Sequence, residues 1–262
     1  MKMLFPGFKT KAFTVSYDDG PVEDRFLTKL LKNYGIKGTF NLNSGLFSLV
    51  RDIVSGGIDV HFVRVDEPEV KELYRDFEVA MHGARHVNLT ALRDGTLEAE
   101  VIGDKKKLEE LTGKRVEGLA YASGHFNEAT AGRLRALGVK YGRTIISTGK
   151  FDLPDDFLMW HPTCHQDNTK LSDILDRFFT EEDTAVFYLW GHSFEFQKND
   201  RDRKEIMTGF FEKAGGRDDV WYAENIEICD YANAFRQYQE TGDKGGYENP
   251  LFAEEKGRRF IV

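Results

Sequence analysis

The chain has 262 residues, of which 40% are hydrophobic and 31% charged, with only 6 Pro; this is the composition of a folded domain and not of a disordered tail. Asp and Glu number 44 against 36 Lys and Arg, a net charge of −8, which argues against a nucleic-acid or anionic-membrane partner, since either would want a basic stripe. No run approaches the roughly 18 apolar residues of a membrane span, and two cysteines, Cys164 and Cys229, make neither a disulfide scaffold nor an all-cysteine zinc site.

The opening MKMLFPGFKTKAFTV holds no apolar stretch long enough for a signal peptide, so a cytoplasmic location is expected. Lys11–Tyr17 is short, rich in β-branched and aromatic residues, and reads as a strand. Val22, Phe26 and Leu30, with Leu27 and Leu31, form a helical apolar face that starts at Pro21 and stops near Gly35. Gly38–Leu42 predicts a second strand. Residues 43–65 suit neither helix nor strand and read as an insertion with a short hairpin around Gly56–Gly57. A helical stretch near Glu69–Arg75 leads to a third strand, Glu78–Met81. A long helix follows over about Thr96–Leu111, with Gly113 as its terminator. Val116–Ala122 reads as a fourth strand, and Asn127 as the N-cap of a helix ending near Gly138. Val139–Ile145 is a fifth strand. Ala185–Trp190 is a sixth, flanked by helices Leu171–Phe179 and Glu205–Lys213. Asp219–Ala223 is a short seventh strand before a last helix near Ile226–Tyr238. Residues 242–262 are expected to be a surface tail packed on the rest, within one domain spanning 1–262.

Alternating strands and helices imply an α/β fold, a parallel sheet with helices packed outside it. About seven such units suggest a closed or nearly closed β/α barrel, with a doubly wound open sheet as the competing architecture.

In such a barrel, reactive groups sit where strands end and loops begin. Asp18 and Asp19 follow the first strand, His82 and His86 the third, Ser123 and Gly124 the fourth; Arg143 lies near the end of the fifth and His192 follows the sixth. Each feature alone is weak: an HxxxH pair is common on helix surfaces, and Asp-Asp-Gly is more often a tight turn than a catalyst. Their joint placement at successive strand ends is what carries weight. Asp19, His82 and His86 make a plausible metal triad, since two imidazoles and one carboxylate are a common catalytic set for zinc. The spacing of HGARH predicts both rings on one side of a helical turn. The zinc-protease pattern is excluded, because Gly83 stands where its general-base Glu would be. The base must come from elsewhere, and Asp18 adjoins the proposed ligand. His161 and His165 in HPTCH read as a loop near the site mouth, because Pro162 disfavours helix at His161. His61 and His125 have no partner pattern.

These residues resemble the polysaccharide deacetylases, the NodB-homology domain of carbohydrate esterase family four, over about Lys11–Trp221. SYDDG (Ser16–Gly20) is similar to that family's first motif, HGARH (His82–His86) to its second, and FYLWGH, ending at His192, to its fifth. The resemblance implies a distorted, partly open (β/α) barrel. It also implies Asp18 as catalytic base, Asp19, His82 and His86 as ligands of one divalent cation, most often zinc, and His192 as catalytic acid. Two motifs depart. The third is AYASGHFN (Ala120–Asn127), where Ala120 replaces an Arg that steadies the catalytic Asp in the family. Arg143, one strand over, is the hypothesised substitute, and a separation beyond about 6 Å from Asp18 would reject it. The Ser123 N–H remains as an oxyanion donor. The fourth motif is loose: FDLPDDFLMW supplies Trp160 and leaves Asp152, Asp155 and Asp156 open as the residue that orients His192.

The implied reaction is metal-assisted removal of N-acetyl or O-acetyl groups from a sugar polymer or oligosaccharide. Leu189 or Trp190 could wall the acetyl methyl, or both could be core. Two alternatives stay open: hydrolysis of a non-sugar amide C–N bond by the same groups, and a catalytically silent sugar-binding relative.

Overall fold

The computed structural model describes residues 3–197, 203–241, 252–255 and 258–261. β1 (Lys11–Asp18) is buried along its whole length. A strand with no exposed face belongs in the middle of a parallel sheet covered by helices. It pairs in parallel with three others: β2 (Thr39–Leu42) along its last residues, β9 (Ala185–Gly191) along nearly all of it, and β10 (Val220–Tyr222) at its start. The remaining parallel strands are β5 (Glu78–Met81), β6 (Gly118–Ala120), β7 (Tyr141–Arg143) and the two-residue β8 (Cys164–His165). The sheet order is β7-β6-β5-β2-β1-β9-β8, with β10 off the path beside β1. The architecture is therefore a curled, open half-barrel of parallel strands, not a closed barrel. At the β7 edge the sheet is extended by one residue, since Trp160 N–H donates to Gly142 O (2.9 Å) and Thr144 N–H to Trp160 O (3.0 Å).

Helices α1 (Asp24–Asn33), α2 (Val70–Leu73), α3 (Asp94–Thr112), α4 (Glu128–Ala136), α5 (Leu171–Thr180), α6 (Arg203–Ala214) and α7 (Asn225–Thr241) alternate with the strands. α1 begins three residues later than Pro21, because Pro21 is drawn into a bridge with Arg64. Gly113 ends α3 in the left-handed region (φ 72°), as expected of a helix stop. Asn127 caps α4 by accepting from the Thr130 N–H at 2.8 Å. β6 and β7 are each shorter than the apolar runs that predicted them. β8 lies within the HPTCH stretch expected to be loop, since two residues carry no periodicity.

Strand alternation divides the apolar residues in two. Phe13, Val15, Tyr17, Phe187 and Leu189 join the large cluster that includes α1, α3, α5 and α6. Ala12, Ala80, Tyr141, Val186 and Tyr188 join Trp160 and α7 in a second one. Residues 50–63 form the antiparallel hairpin expected around Gly56–Gly57: β3 (Val50–Ser55) pairs with β4 (Ile58–Val63). Both turn glycines have positive φ, 60° and 80°, as a two-residue hairpin turn requires. The hairpin returns to the β1 loop through Val22 N–H to Val63 O (2.9 Å) and Val65 N–H to Gly20 O (2.9 Å). In the C-terminal region, β11 (Phe252–Glu255) and β12 (Arg258–Ile261) form an antiparallel pair. Most of the tail expected at 242–262 lies outside the described residues. No helix among the described residues is long and apolar enough to cross a membrane.

Candidate active site

A cavity of about 170 Å³ opens at the C-terminal ends of the strands and is lined by Asp18, Asp19, His82, His86, Tyr121, Ser123, Gly124, Ile145, Trp190 and His192. The residues picked from separate strand ends thus meet in one place. Asp19 Oδ1 lies 3.7 Å from His86 Nε2 and 4.0 Å from His82 Nε2. One donor atom from each of the three falls within 4.8 Å of the others, the span of a shared ligand sphere.

The ring orientation of His82 suits a metal. Its Nδ1 sits 2.8 Å from the Ala120 carbonyl oxygen, which can only accept, so Nδ1 carries the proton and Nε2 turns its lone pair to the cavity. Burial pulls the His82 pKa down to about 4 against the opposing pull of Asp18 and Asp19, so the ring is neutral near pH 7. Asp19 is held ionised: burial would raise its pKa, but Arg64 and the three imidazoles outweigh it and drive it far below the usual range. A neutral imidazole and a fixed carboxylate are what a divalent cation requires.

The path of HGARH differs from the helical turn that its spacing predicts. Gly83 (φ 73°) and His86 (φ 55°) both lie in the left-handed region, and this turn brings the two rings to 4.8 Å between centroids. At Gly83 the positive φ would strain any side chain. The loop is tied down from below. Asn43 Nδ2 donates to the His82 and Gly83 carbonyls, Asp104 accepts from the His82 N–H at 3.2 Å, and Glu100 accepts from the Arg85 N–H at 2.6 Å. Burial raises Asp104 to about 7.

Asp18 faces the same cavity, with Oδ2 3.8 Å from both His82 Nε2 and His192 Nε2. Arg143 Nη2 donates to Asp18 Oδ1 at 2.6 Å and also to Oδ2, well inside the 6 Å set for the hypothesised substitution. Asn41 Nδ2 adds a 2.8 Å bond to Oδ1. Burial pushes the Asp18 carboxyl up, but Arg143, then His82 and His192, outweigh burial and hold it below its ordinary value. The Arg143 guanidinium also lies over the Trp190 ring, 4.7 Å from its centroid.

Ser123 sits at the cavity rim with φ 57°, a strained backbone that turns the chain sharply after β6. Trp190 lines the cavity. Leu189 does not: it points to the opposite face of β9 and is fully buried in the helix-side core. Trp160 is buried as well, packed edge-on to Tyr141 and Phe157 and tilted against Tyr188, so its ring does not reach the cavity and it supports Arg143 only through the backbone. None of the three aspartates left open orients His192. Asp156 caps the turn at Phe157 and pairs with Arg135, the Asp155 carbonyl accepts from Arg236, and Asp152 lines a separate hollow beside α7.

Sequence reasoning missed two charged residues here. Arg64, 2% exposed at the foot of the hairpin, donates to Asp19 Oδ1 (2.8 Å), to the Asp19 carbonyl and to Asn43 Oδ1 (2.7 Å). It clamps a residue whose φ is 78°. Glu195, three residues beyond His192, is the carboxylate beside that ring, with Oε1 3.9 Å from Nδ1.

The family model for polysaccharide deacetylases matches residues 7–142. The chain belongs to the polysaccharide deacetylase family. The matched residues contain Asp18, Asp19, His82 and His86 and end before Arg143 and His192. The family acts on acetylated carbohydrates, is generally metal-dependent, and makes this chain a hydrolase of the deacetylase type. No curated protein matches the chain. Among solved structures, a Mycobacterium smegmatis protein described as a polysaccharide deacetylase is similar in fold (TM-score 0.62, 16% identity, 90% of this chain and 94% of that one). A family 4 carbohydrate esterase from Bacillus anthracis is similar too (TM-score 0.56, 12% identity, 87% and 86%). So is the family 4 carbohydrate esterase PdaA of Bacillus subtilis (TM-score 0.53, 16% identity, 88% and 85%).

Proposed function

We propose that this deacetylase hydrolyses N-acetyl groups on a sugar polymer or oligosaccharide, with Asp19, His82 and His86 holding one divalent cation. The observation that carries the reading is the meeting of those three donors with Asp18 and His192 around one cavity of about 170 Å³. That volume suits an acetamido group and leaves the sugar ring outside, against the rim at Ile145 and Trp190. The mixed nitrogen and oxygen donor set favours zinc among common cations.

The cation would act as a Lewis acid, polarising the acetyl carbonyl and lowering the pKa of a water towards about 7. Every other step belongs to the chain. Asp18, kept ionised by Arg143, takes the proton of the attacking water. The Ser123 N–H donates to the carbonyl oxygen as it gains charge, a contribution of roughly 3 kcal/mol in comparable sites. His192 delivers a proton from Nε2 to the leaving amine, which departs poorly unless protonated. Trp190 walls the acetyl methyl and shields the Arg143–Asp18 pair from water. Acetate release from chitin and peptidoglycan oligosaccharides, run beside simple aryl amides, tests the reading. Turnover confined to the aryl amides would transfer it to non-sugar C–N bonds, and no turnover with zinc bound would favour a silent sugar-binding relative.

A further inference from the structure

We infer that Glu195 is the positioning carboxylate of His192, held for that task by Gln166 and His165; this rests on the proposed role of His192 as acid. His192 Nδ1 is buried and has no hydrogen-bond partner among the described residues. Glu195 Oε1 lies 3.9 Å away from it. Among the described residues, the other titratable groups around the ring are Asp18 at the end of β1, Asp19 just after it and His165 from β8, and Asp18 meets Nε2, not Nδ1.

The other carboxylate oxygen is fixed by two donors. Gln166 Nε2 donates to Glu195 Oε2 at 2.6 Å and to the His192 carbonyl at 2.7 Å, while Gln166 Oε1 accepts from the Tyr17 hydroxyl at 2.8 Å. The Tyr17 bond settles which end of the amide faces Glu195. Gly191 permits this, since a Cβ there would lie 2.5 Å from the Gln166 amide carbon. The second donor is His165, whose Nε2 is 3.3 Å from Glu195 Oε2.

His165, His192 and Glu195 together have the donor types and spacing of a metal site. The hydrogen bonding of His165 speaks against one. Its Nδ1 accepts from the Asp167 N–H at 3.1 Å, so the proton sits on Nε2 and points at Glu195. A metal-ligating imidazole needs the reverse, a bare ligating nitrogen and a proton on the other, which is what His82 has. The cluster is a relay of hydrogen bonds. It aims Glu195 Oε1 at His192 Nδ1, 3.9 Å away, and keeps Nε2 for proton delivery to the substrate.

The isosteric Glu195→Gln variant tests this. Two donors face Oε2, so the amide oxygen stays there and the amide NH₂ turns towards His192 Nδ1. A donor in that place moves the His192 proton to Nε2, the wrong nitrogen for the neutral ring. The experiment is long-range ¹⁵N–¹H correlation on the zinc-loaded full chain at alkaline pH, with His192→Gln to assign the ring, beside acetate release from penta-N-acetylchitopentaose. The expected results are Nδ1–H at His192 in the wild type and Nε2–H in Glu195→Gln. In the variant kcat should drop by about 10²–10⁴-fold with KM nearly unchanged and zinc content retained; a comparable exchange in an unrelated hydrolase triad costs about 10⁴. Nε2–H at His192 in the wild type, or a variant with the same tautomer and a kcat within threefold, overturns the inference. A tautomer that moves while neither protein releases acetate keeps the Glu195 pairing and rejects the deacetylase reading instead.

Discussion

Arg143 and Asp18 are 125 residues apart in sequence, yet the guanidinium donates to both carboxylate oxygens, at 2.6 Å to Oδ1. Their strands, β7 and β1, are four steps apart in the sheet, which would be roughly 19 Å if the sheet were flat. The curl of the sheet is therefore what brings a guanidinium from β7 onto the Asp18 carboxylate. Replacing it by Met should let burial raise the Asp18 pKa. Because Asp18 must be ionised to act as base, the acid limb of the kcat/KM profile should move to higher pH, by about 1–3 units. A pH–rate profile of acetate release with an unmoved limb would detach Arg143 from the base.

Asp18→Asn should retain stoichiometric zinc, because Asp18 is not among the three ligand candidates, and should lose about 10²–10⁴-fold in kcat. Stability should fall too, by about 3 kcal/mol, since Arg143 would be left buried beside a neutral amide. Metal content, Tm and turnover measured on one preparation separate these effects. Normal turnover would reject Asp18 as base.

Metal removal should act on stability as well as on rate. Dialysis against a chelator should abolish acetate release and lower Tm. Zinc restored to 100 times its Kd should return about 2.7 kcal/mol of stability. His82→Ala should lose both responses. A Tm indifferent to zinc in the wild type would count against the triad.

Far from the cavity, Glu78 accepts from Thr39, Tyr141 and the Ile226 N–H, and burial lifts its pKa to about 8 from an ordinary 4.5. Between those values the folded chain holds a proton that the unfolded chain releases. The stability from this site is thus complete below pH 4.5 and is lost as pH rises through 8, by up to about 1.4 kcal/mol per pH unit. Glu78→Gln should flatten the fall in Tm from pH 5 to 9. An identical slope in the variant would place the pH dependence elsewhere.

Most strands were legible as short runs of β-branched and aromatic residues between turn signals, and most helices from an apolar face or from their cap and stop residues. β8 was not, being two residues long, and the turn through Gly83 and His86 was not, because HxxxH spacing fits a left-handed turn as well as a helix. The groups that meet at the cavity could be picked from strand ends, since a parallel sheet presents those ends on one rim. Their supports could not. Arg64 carries no pattern, and its nearness to Asp19 follows from where a hairpin folds back. The fourth-motif stretch points to Asp152, Asp155 and Asp156 for a carboxylate beside His192, whereas Glu195 stands three residues past the histidine. Leu189 and Trp190 are neighbours on one strand and so face opposite ways, and only Trp190 meets the cavity.

The hairpin of residues 50–63 reaches the rim from outside the barrel, packs Phe62 against Phe194 on the loop after His192 (5.2 Å between ring centroids), and ends at the clamp of Arg64 on Asp19. One excursion of the chain thus braces both sides of the cavity. Loop grafting among relatives would be unsafe here: shortening this excursion would unfasten the strained aspartate on one side and the histidine loop on the other, so the segment must be transplanted together with both of its footholds.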